Sequence, residues 1–152
     1  MIKVEIIGAE SVIARFEGAP ERIRRALATA TYRLAIQAQR KVMDERLSGQ
    51  VLKVRTGQLR RSINAAPIEE AGRVGARTGT NVFYGRIWEL TGLPARTVVP
   101  TTKKALFWKG ARHPVRRVNL PAQAPRPFLS VVLEEMRAQA RAEMTAAAAG
   151  AI

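Results

Sequence analysis

The side chains that could act as nucleophiles or general bases do not form a catalytic set in this sequence. Ser62 and Ser130 have no evident base to activate them, and the single histidine, His113, lies in a basic segment where a solvated role is far more common. Glu69 and Glu70 are adjacent in a predicted strand, so their carboxylates would point to opposite faces and could not act as a pair. The chain has no cysteine, which excludes thiol catalysis and disulfides and fits a reducing compartment such as the cytosol. The sequence therefore predicts no enzymatic activity and no metal or cofactor.

Positive charge is the strongest signal in the composition. The 152 residues include 26 lysines and arginines against 12 acids, for a net charge of +14. Residues 20–61 carry eleven basic against three acidic residues, and residues 84–128 carry nine against one, so each stretch has a net charge of +8. Such a balance favours a polyanionic partner, either nucleic acid or an acidic protein surface. The residues that we predict as possible DNA-facing groups are Arg22, Arg24, Arg25, Arg33, Arg60 and Arg61.

The sequence contains no motif for reading bases. It has no helix-turn-helix, zinc-finger or RNP signature, so any contact with nucleic acid is expected to be independent of sequence. For any single arginine, a solvated surface is the plainer interpretation.

The element that must position most of these groups is a long helix predicted from Pro20 to Leu47. The segment has no internal glycine or proline, Pro20 suits a first helical position, and Ser48-Gly49 would end the helix. Apolar residues recur every three or four positions and predict one buried stripe, made of Ile23, Leu27, Ala30, Leu34, Ala38 and Val42.

Shorter elements surround this helix. We predict a strand over residues 1–7, a short helix over 10–16, and a hairpin whose strands cover 64–69 and 73–80. Within Thr56–Ile63, the spacing of Leu59 and Ile63 predicts a helical turn that buries both, with Thr56 as N-cap and Arg60 and Arg61 projecting outward.

Two further helices are predicted towards the C-terminus. A short one covers residues 83–90 and places Phe83, Ile87 and Leu90 on one side. The last covers about 128–144, and its buried residues are expected to be Leu129, Val132, Leu133 and Met136.

Together these elements predict an α+β fold, with a small, mostly antiparallel sheet and the long and C-terminal helices packed on one face of it. Residues 1–145 would form one domain with an extended β-arm at 94–121, and 146–152 would be a flexible tail. No run reaches eighteen apolar residues, so no membrane segment is expected.

The arm is expected to reach a neighbouring subunit or an adjoining ring. Between Pro94 and Pro121 it carries seven cations and no acid, and it displays the aromatic cluster Phe107-Trp108-Lys109. Aromatic residues rimmed by basic ones are typical of protein interfaces, and connections this long are usually functional or disordered. A mobile surface loop is the alternative.

Four stretches, in this order, resemble the gene-ten-like tail-component family of long-tailed bacteriophages, also called neck or head–tail joining proteins. Residues 2–8 read Ile-Lys-Val-Glu-Ile-Ile-Gly and precede a short and then a long basic helix. Residues 56–63 read Thr-Gly-Gln-Leu-Arg-Arg-Ser-Ile, which is similar to the family's Thr-Gly-x-Leu-Arg-x-Ser-Ile pattern. Residues 84–92 are similar to its aromatic-plus-Glu-x-Gly stretch, although Leu-Thr-Gly stands where Phe-Gly-Thr is usual. Residues 124–129, Ala-Pro-Arg-Pro-Phe-Leu, look like its C-terminal Pro-Phe-Leu signature.

The resemblance covers about residues 1–140 and implies a structural virion protein of the neck, made in the host cytoplasm. Such a protein forms a homo-oligomeric ring, most simply a hexamer, that completes or terminates the tail. It meets head-closure or adaptor proteins and the tail tube protein, and genomic DNA passes through its lumen. Neither a membrane partner, an enzyme activity nor a cofactor is implied. The expected interface residues are Tyr84, Trp88, Glu89, Phe107, Trp108 and Lys109. A sequence-independent nucleic-acid-binding protein is the alternative function.

Overall fold

The computed structural model describes residues 2–5, 21–70 and 73–151, and it has the α+β fold predicted from the sequence. The strands are β1 (Ile2–Glu5), β2 (Asn64–Glu70), β3 (Arg73–Thr80), β4 (Arg96–Val98) and β5 (Val118–Leu120). The α-helices are α1 (Glu21–Lys41), α2 (Gln58–Ser62), α3 (Phe83–Arg86) and α4 (Ser130–Ala149). Single π-helical turns follow α1 at Val42–Arg46 and α3 at Ile87–Thr91.

The sheet is antiparallel, and its centre is β3. The strand order is β1-β3-β2, with Ile2 opposite Thr80 and Asn64 opposite Gly79. Alternate β3 residues, Ala76, Thr78 and Thr80, are buried. The hydroxyl of Thr78 donates to the carbonyl oxygen of Ala35 in α1 at 2.8 Å, so a strand residue is tied to the helix backbone. The predicted hairpin strands are therefore confirmed.

The core lies where α1 packs on the sheet and on α4. All six residues of the predicted α1 stripe are buried, as the spacing of three and four requires. From α4 and the segment before it, Phe128, Leu129, Val132 and Met136 are buried against them. Leu133, which was also expected inside, is only half-buried.

An ion-pair cluster joins the end of α1 to α4 at the surface. The carboxylate of Glu135 contacts the ammonium of Lys41 at 2.9 Å and the guanidinium of Arg46. The hydrogen bond from Lys41 is the main reason that the pKa of Glu135 lies below its usual value. These charges remain partly exposed, so the cluster orients the two helices and adds little to stability.

Three predicted boundaries can be compared with the structure. The helix predicted to Leu47 is helical to Arg46: the α-helix runs to Lys41, and a π turn continues it over Val42–Arg46, where the amide of Leu47 donates to the carbonyl of Val42, five residues back. Residues 146–149, expected in a flexible tail, are the last turn of α4, where Ala148 is buried against the core. The helix predicted over 10–16 and Pro20 fall outside the described residues.

The arm is a two-stranded ribbon that pairs with itself and not with the three-stranded sheet. Arg96 lies opposite Leu120 and Val98 opposite Val118. Isolated bridges extend the pairing on either side, between Leu93 and Gln123 at the base and between Leu106 and Val115 near the tip. The predicted extended β-arm is therefore confirmed as a structure.

Candidate assembly interface

The segment from Phe83 to Thr91, which we call helix 83–91, is fixed to the core by a glycine. Gly85 is buried, and a Cβ at this position would lie 3.0 Å from the Leu59 Cδ1 and 3.0 Å from the Thr80 Cγ2. The ring of Phe128 would be 3.7 Å away. A side chain at this position would have to displace the ends of the Leu59 and Thr80 side chains, so glycine suits the close approach of helix 83–91 to α2 and the end of β3.

Glu89 ties the same helix to α4 by hydrogen bonds. Its side chain is 7% exposed, and one carboxylate oxygen accepts the backbone N–H groups of Phe128 at 2.8 Å and Leu129 at 3.0 Å. The other oxygen accepts the N–H of Ser130 at 2.8 Å. The N-cap residue of α4 is Leu129, which cannot cap with its own side chain, so Glu89 supplies both the acceptors and the negative charge that a helix N-terminus favours.

Contacts between Trp88 and Arg126 also hold helix 83–91 against the rest of the domain. The N–H of Arg126 donates to the Trp88 carbonyl oxygen at 2.7 Å, and its guanidinium lies 5.7 Å from the centre of the Trp88 ring, in cation–π range. The guanidinium also donates to the carbonyl oxygen of Val51 at 3.3 Å. Residues from three separate parts of the chain thus hold helix 83–91 in one orientation.

The solvent side of helix 83–91 exposes large apolar residues beside the polar Arg86 and Thr91, which is unusual for a surface helix. Phe83 is 77% exposed, Leu90 is 59% exposed, and Ile87 between them is half-buried. The helix cannot rotate to bury this side without breaking the three hydrogen bonds of Glu89 and displacing Gly85. We call Phe83, Ile87 and Leu90 the outer apolar face.

The tip of the arm carries a second exposed aromatic group. Reciprocal hydrogen bonds of 2.8 and 3.0 Å between Leu106 and Val115 fix the ribbon just below the tip. Beyond them, the N–H of Ala111 donates to the Trp108 carbonyl at 2.9 Å and closes a turn through Gly110, whose φ is +97°. Phe107 is 67% exposed and Trp108 50% exposed.

The expected interface residues differ in how far they are exposed. Tyr84, Phe107, Trp108 and Lys109 are exposed, and their role at an interface stays a prediction. The prediction that Glu89 lies at an interface is wrong, because its carboxylate is buried and accepts hydrogen bonds from within the chain. Trp88 is half-buried and packs against the core as well as under Arg126.

The six possible DNA-facing arginines also differ in their surroundings. Arg22, Arg24, Arg25 and Arg33 are exposed on α1. Arg60 does not project freely: its Nε donates to the Met43 carbonyl at 3.1 Å, and its guanidinium contacts Asp44 at 2.9 Å. Arg61 turns back onto the Thr56 carbonyl at 3.0 Å. The π turn after α1 explains the first of these contacts, since it leaves the Met43 carbonyl without a helical partner.

The turn at 56–63 buries Leu59 and Ile63 as predicted, but its cap differs. Gly57, with φ +70°, is the N-cap residue, and the Thr56 hydroxyl only accepts the N–H of Gln58 at 3.3 Å.

Leu59→Ala should lower the free energy of unfolding by about 2–5 kcal/mol, since it removes a buried side chain beside Gly85 and leaves a cavity. Thr56→Ala should cost only about 0.5 kcal/mol, at the low end for capping groups. Urea denaturation of both variants measures these values, and equal, negligible losses would mean that the turn is not a fold element.

Among the described residues, no cluster of histidine and acidic side chains could hold a metal ion. In this part of the chain no helix is both long and apolar enough to cross a membrane. Comparison with protein-family models, with curated proteins and with solved structures finds no match.

Proposed function

We propose that this chain is a structural subunit of a bacteriophage neck, which assembles into a ring between the capsid portal complex and the tail tube. The observation that carries the proposal is the outer apolar face, which the fold holds towards solvent. Contiguous exposed apolar patches rimmed by polar residues are typical of protein–protein interaction sites, and this face is the part of the surface that we expect a partner to cover. The ring is most simply sixfold, to match a tail tube, and it acts by joining and not by catalysis.

The motifs of the family resemblance also support the proposal by their position. Leu59 of the 56–63 motif and Phe128 of the Pro-Phe-Leu motif both flank Gly85 of the 84–92 motif. Glu89 of that same motif binds the backbone of Phe128 and Leu129. Three stretches that are far apart in sequence therefore meet at one point in the fold, which is consistent with the proposal.

In the proposed ring, the outer apolar face and the arm tip contact other protein surfaces. Phe107 and Trp108 would anchor such a contact, and the lysines and arginines of the arm would form its polar rim. The arm has no acid, and Glu89 and Glu134 are the nearest acidic residues in sequence on its two sides, so it cannot neutralise its own charge. Its partner surface in the neck is therefore expected to be acidic.

A double variant tests this proposal. Phe83→Ser with Leu90→Ser should leave the subunit folded, because both side chains are exposed, but should stop assembly. Deleting 103–117, the tip of the arm, should likewise leave the domain folded. In a phage whose genome encodes the chain, both changes should give unjoined heads and tails by electron microscopy.

The matched control is Asn81→Ser with Thr91→Ser, two exposed polar residues, one just before helix 83–91 and one at its end. It should give normal particles. Fully joined, infectious particles from both the double variant and the deletion would contradict the proposal.

A further inference from the structure

The solvent side of α1 carries a line of arginines that the core does not use. Arg22, Arg25, Arg33 and Arg40 are all exposed, and steps of three and four residues through Thr29 and Ile36 connect them on one side of the helix. The buried residues of α1 lie on the opposite side. The line extends for about 27 Å at a rise of about 1.5 Å per residue. We call these four residues the arginine stripe.

The charge of the stripe is almost unopposed. Glu21 is the only acid in α1, and it meets Arg25 at 3.5 Å with both side chains mostly exposed, so water and salt screen the pair. In the described residues, Arg22, Arg33 and Arg40 have no acidic partner within ion-pair distance. Lys41, by contrast, is held by Glu135 and lies off the stripe.

We infer that the arginine stripe binds the phosphate backbone of duplex nucleic acid without reading its sequence. A duplex carries about one negative charge per 1.7 Å of axis, so a length of about 27 Å presents far more phosphates than four arginines need. Guanidinium groups suit phosphate oxygens because they donate hydrogen bonds in a planar fork. Phosphate contacts of this kind position a protein on DNA but carry no sequence information.

An acidic protein partner fits the stripe less well. Protein interfaces place apolar and aromatic residues at their centre and charges at their rim. Between and beside the arginines, this side of α1 has Thr29, which is polar, Ile36, which is half-buried, and one exposed aromatic, Tyr32, so charge outweighs apolar surface there. The inference goes beyond the proposed neck function and does not depend on it, since it concerns the isolated chain.

The structure also selects which arginines matter. Arg40 joins the stripe although it was not among the residues predicted as DNA-facing. Arg60 and Arg61 lie on α2 and not on α1, so they are not part of the stripe; Arg60 contacts Asp44 and the Met43 carbonyl, and Arg61 donates one hydrogen bond to the Thr56 carbonyl.

The test is the salt dependence of binding to a random-sequence duplex of about 20 base pairs, measured by fluorescence anisotropy. The variant replaces Arg22, Arg25, Arg33 and Arg40 with glutamine, which keeps helix propensity and removes four charges. Each phosphate contact contributes about 0.9 to the slope of log K against log salt. The slope should therefore fall by about 3 to 4, and affinity near 0.1 M salt should drop by about a hundredfold or more.

The matched control removes the same charge from the arm, with Lys103, Lys104, Arg112 and Arg117 replaced by glutamine. Its slope should change by less than about 1. If the slope of log K against log salt falls equally in both variants, binding follows net charge and the stripe is not a specific site. An unchanged stripe variant, or tighter binding to polyglutamate than to DNA of equal charge, would also overturn the inference. If circular dichroism shows that the fourfold variant does not fold, two double variants give the same comparison. They are Arg33→Gln with Arg40→Gln for the stripe and Lys103→Gln with Lys104→Gln for the arm, and the expected change in slope is half as large.

Discussion

Glu89→Ala should destabilise the protein by about 4 kcal/mol, because it leaves the backbone N–H groups of Phe128, Leu129 and Ser130 without their acceptor. A buried donor left unpaired costs about 1–3 kcal/mol, and the bonds lost here are to a charged group. The substitution also removes the hydrogen bonds that connect helix 83–91 to the start of α4. Urea denaturation followed by circular dichroism measures the loss.

Two companion variants separate the causes. Glu89→Gln keeps the shape and one acceptor oxygen, so it should cost about half as much as Glu89→Ala. Glu134→Ala removes an exposed carboxylate of α4 whose ion-pair partner among the described residues is Arg137, so its effect should stay within about 0.5 kcal/mol. A loss below 1 kcal/mol for Glu89→Ala would mean that water or another group satisfies the three donors.

Gly92→Ala should be at least as damaging, at roughly 4 kcal/mol or more, and the variant is expected to accumulate poorly. Gly92 has φ +67° and ψ −164°, a region that essentially only glycine adopts. A Cβ there would lie 2.1 Å from the carbonyl oxygen of Gln123 and 2.7 Å from Ala124 C and Pro125 N. These are backbone atoms, so no rotamer change can relieve the overlap, and the Leu93–Gln123 bridge at the base of the arm must separate.

Gly49→Ala is the control for backbone conformation alone. Gly49 also has a positive φ, +111°, but a Cβ there would meet nothing within 4 Å. It should cost about 1 kcal/mol, in the range for a side chain in left-handed backbone. If Gly92→Ala costs no more than Gly49→Ala in thermal unfolding, close packing at the base of the arm does not restrict residue 92.

Elements whose sequence has a regular spacing or a distinctive composition could be predicted. The spacing of Ile23, Leu27 and Leu34 identified the buried side of α1, and two extended segments joined by a glycine-containing break identified the β2–β3 hairpin. The arm could be recognised because a run of cations, prolines and exposed aromatics fits neither a core strand nor a helix. In each case a local period or composition determines the structure.

The orientation of helix 83–91 could not be predicted, because no local pattern indicates it. Phe83, Ile87 and Leu90 have the spacing of a buried stripe, yet Gly85 and Glu89 make the contacts with the core. The partners of Glu89 lie about forty residues away in sequence, and a single glutamate gives no sign of them. The same holds for Arg60, which was expected to project outward and is held by the π turn after α1.

The measurement that tests the neck proposal most directly is an electron cryomicroscopy map of the assembled particle whose genome encodes this chain. We expect a closed ring of identical copies at the junction of head and tail, with Phe83, Leu90 and Trp108 buried against neighbouring protein. Isolated copies of the chain, or a ring elsewhere that leaves the outer apolar face in solvent, would contradict the proposal.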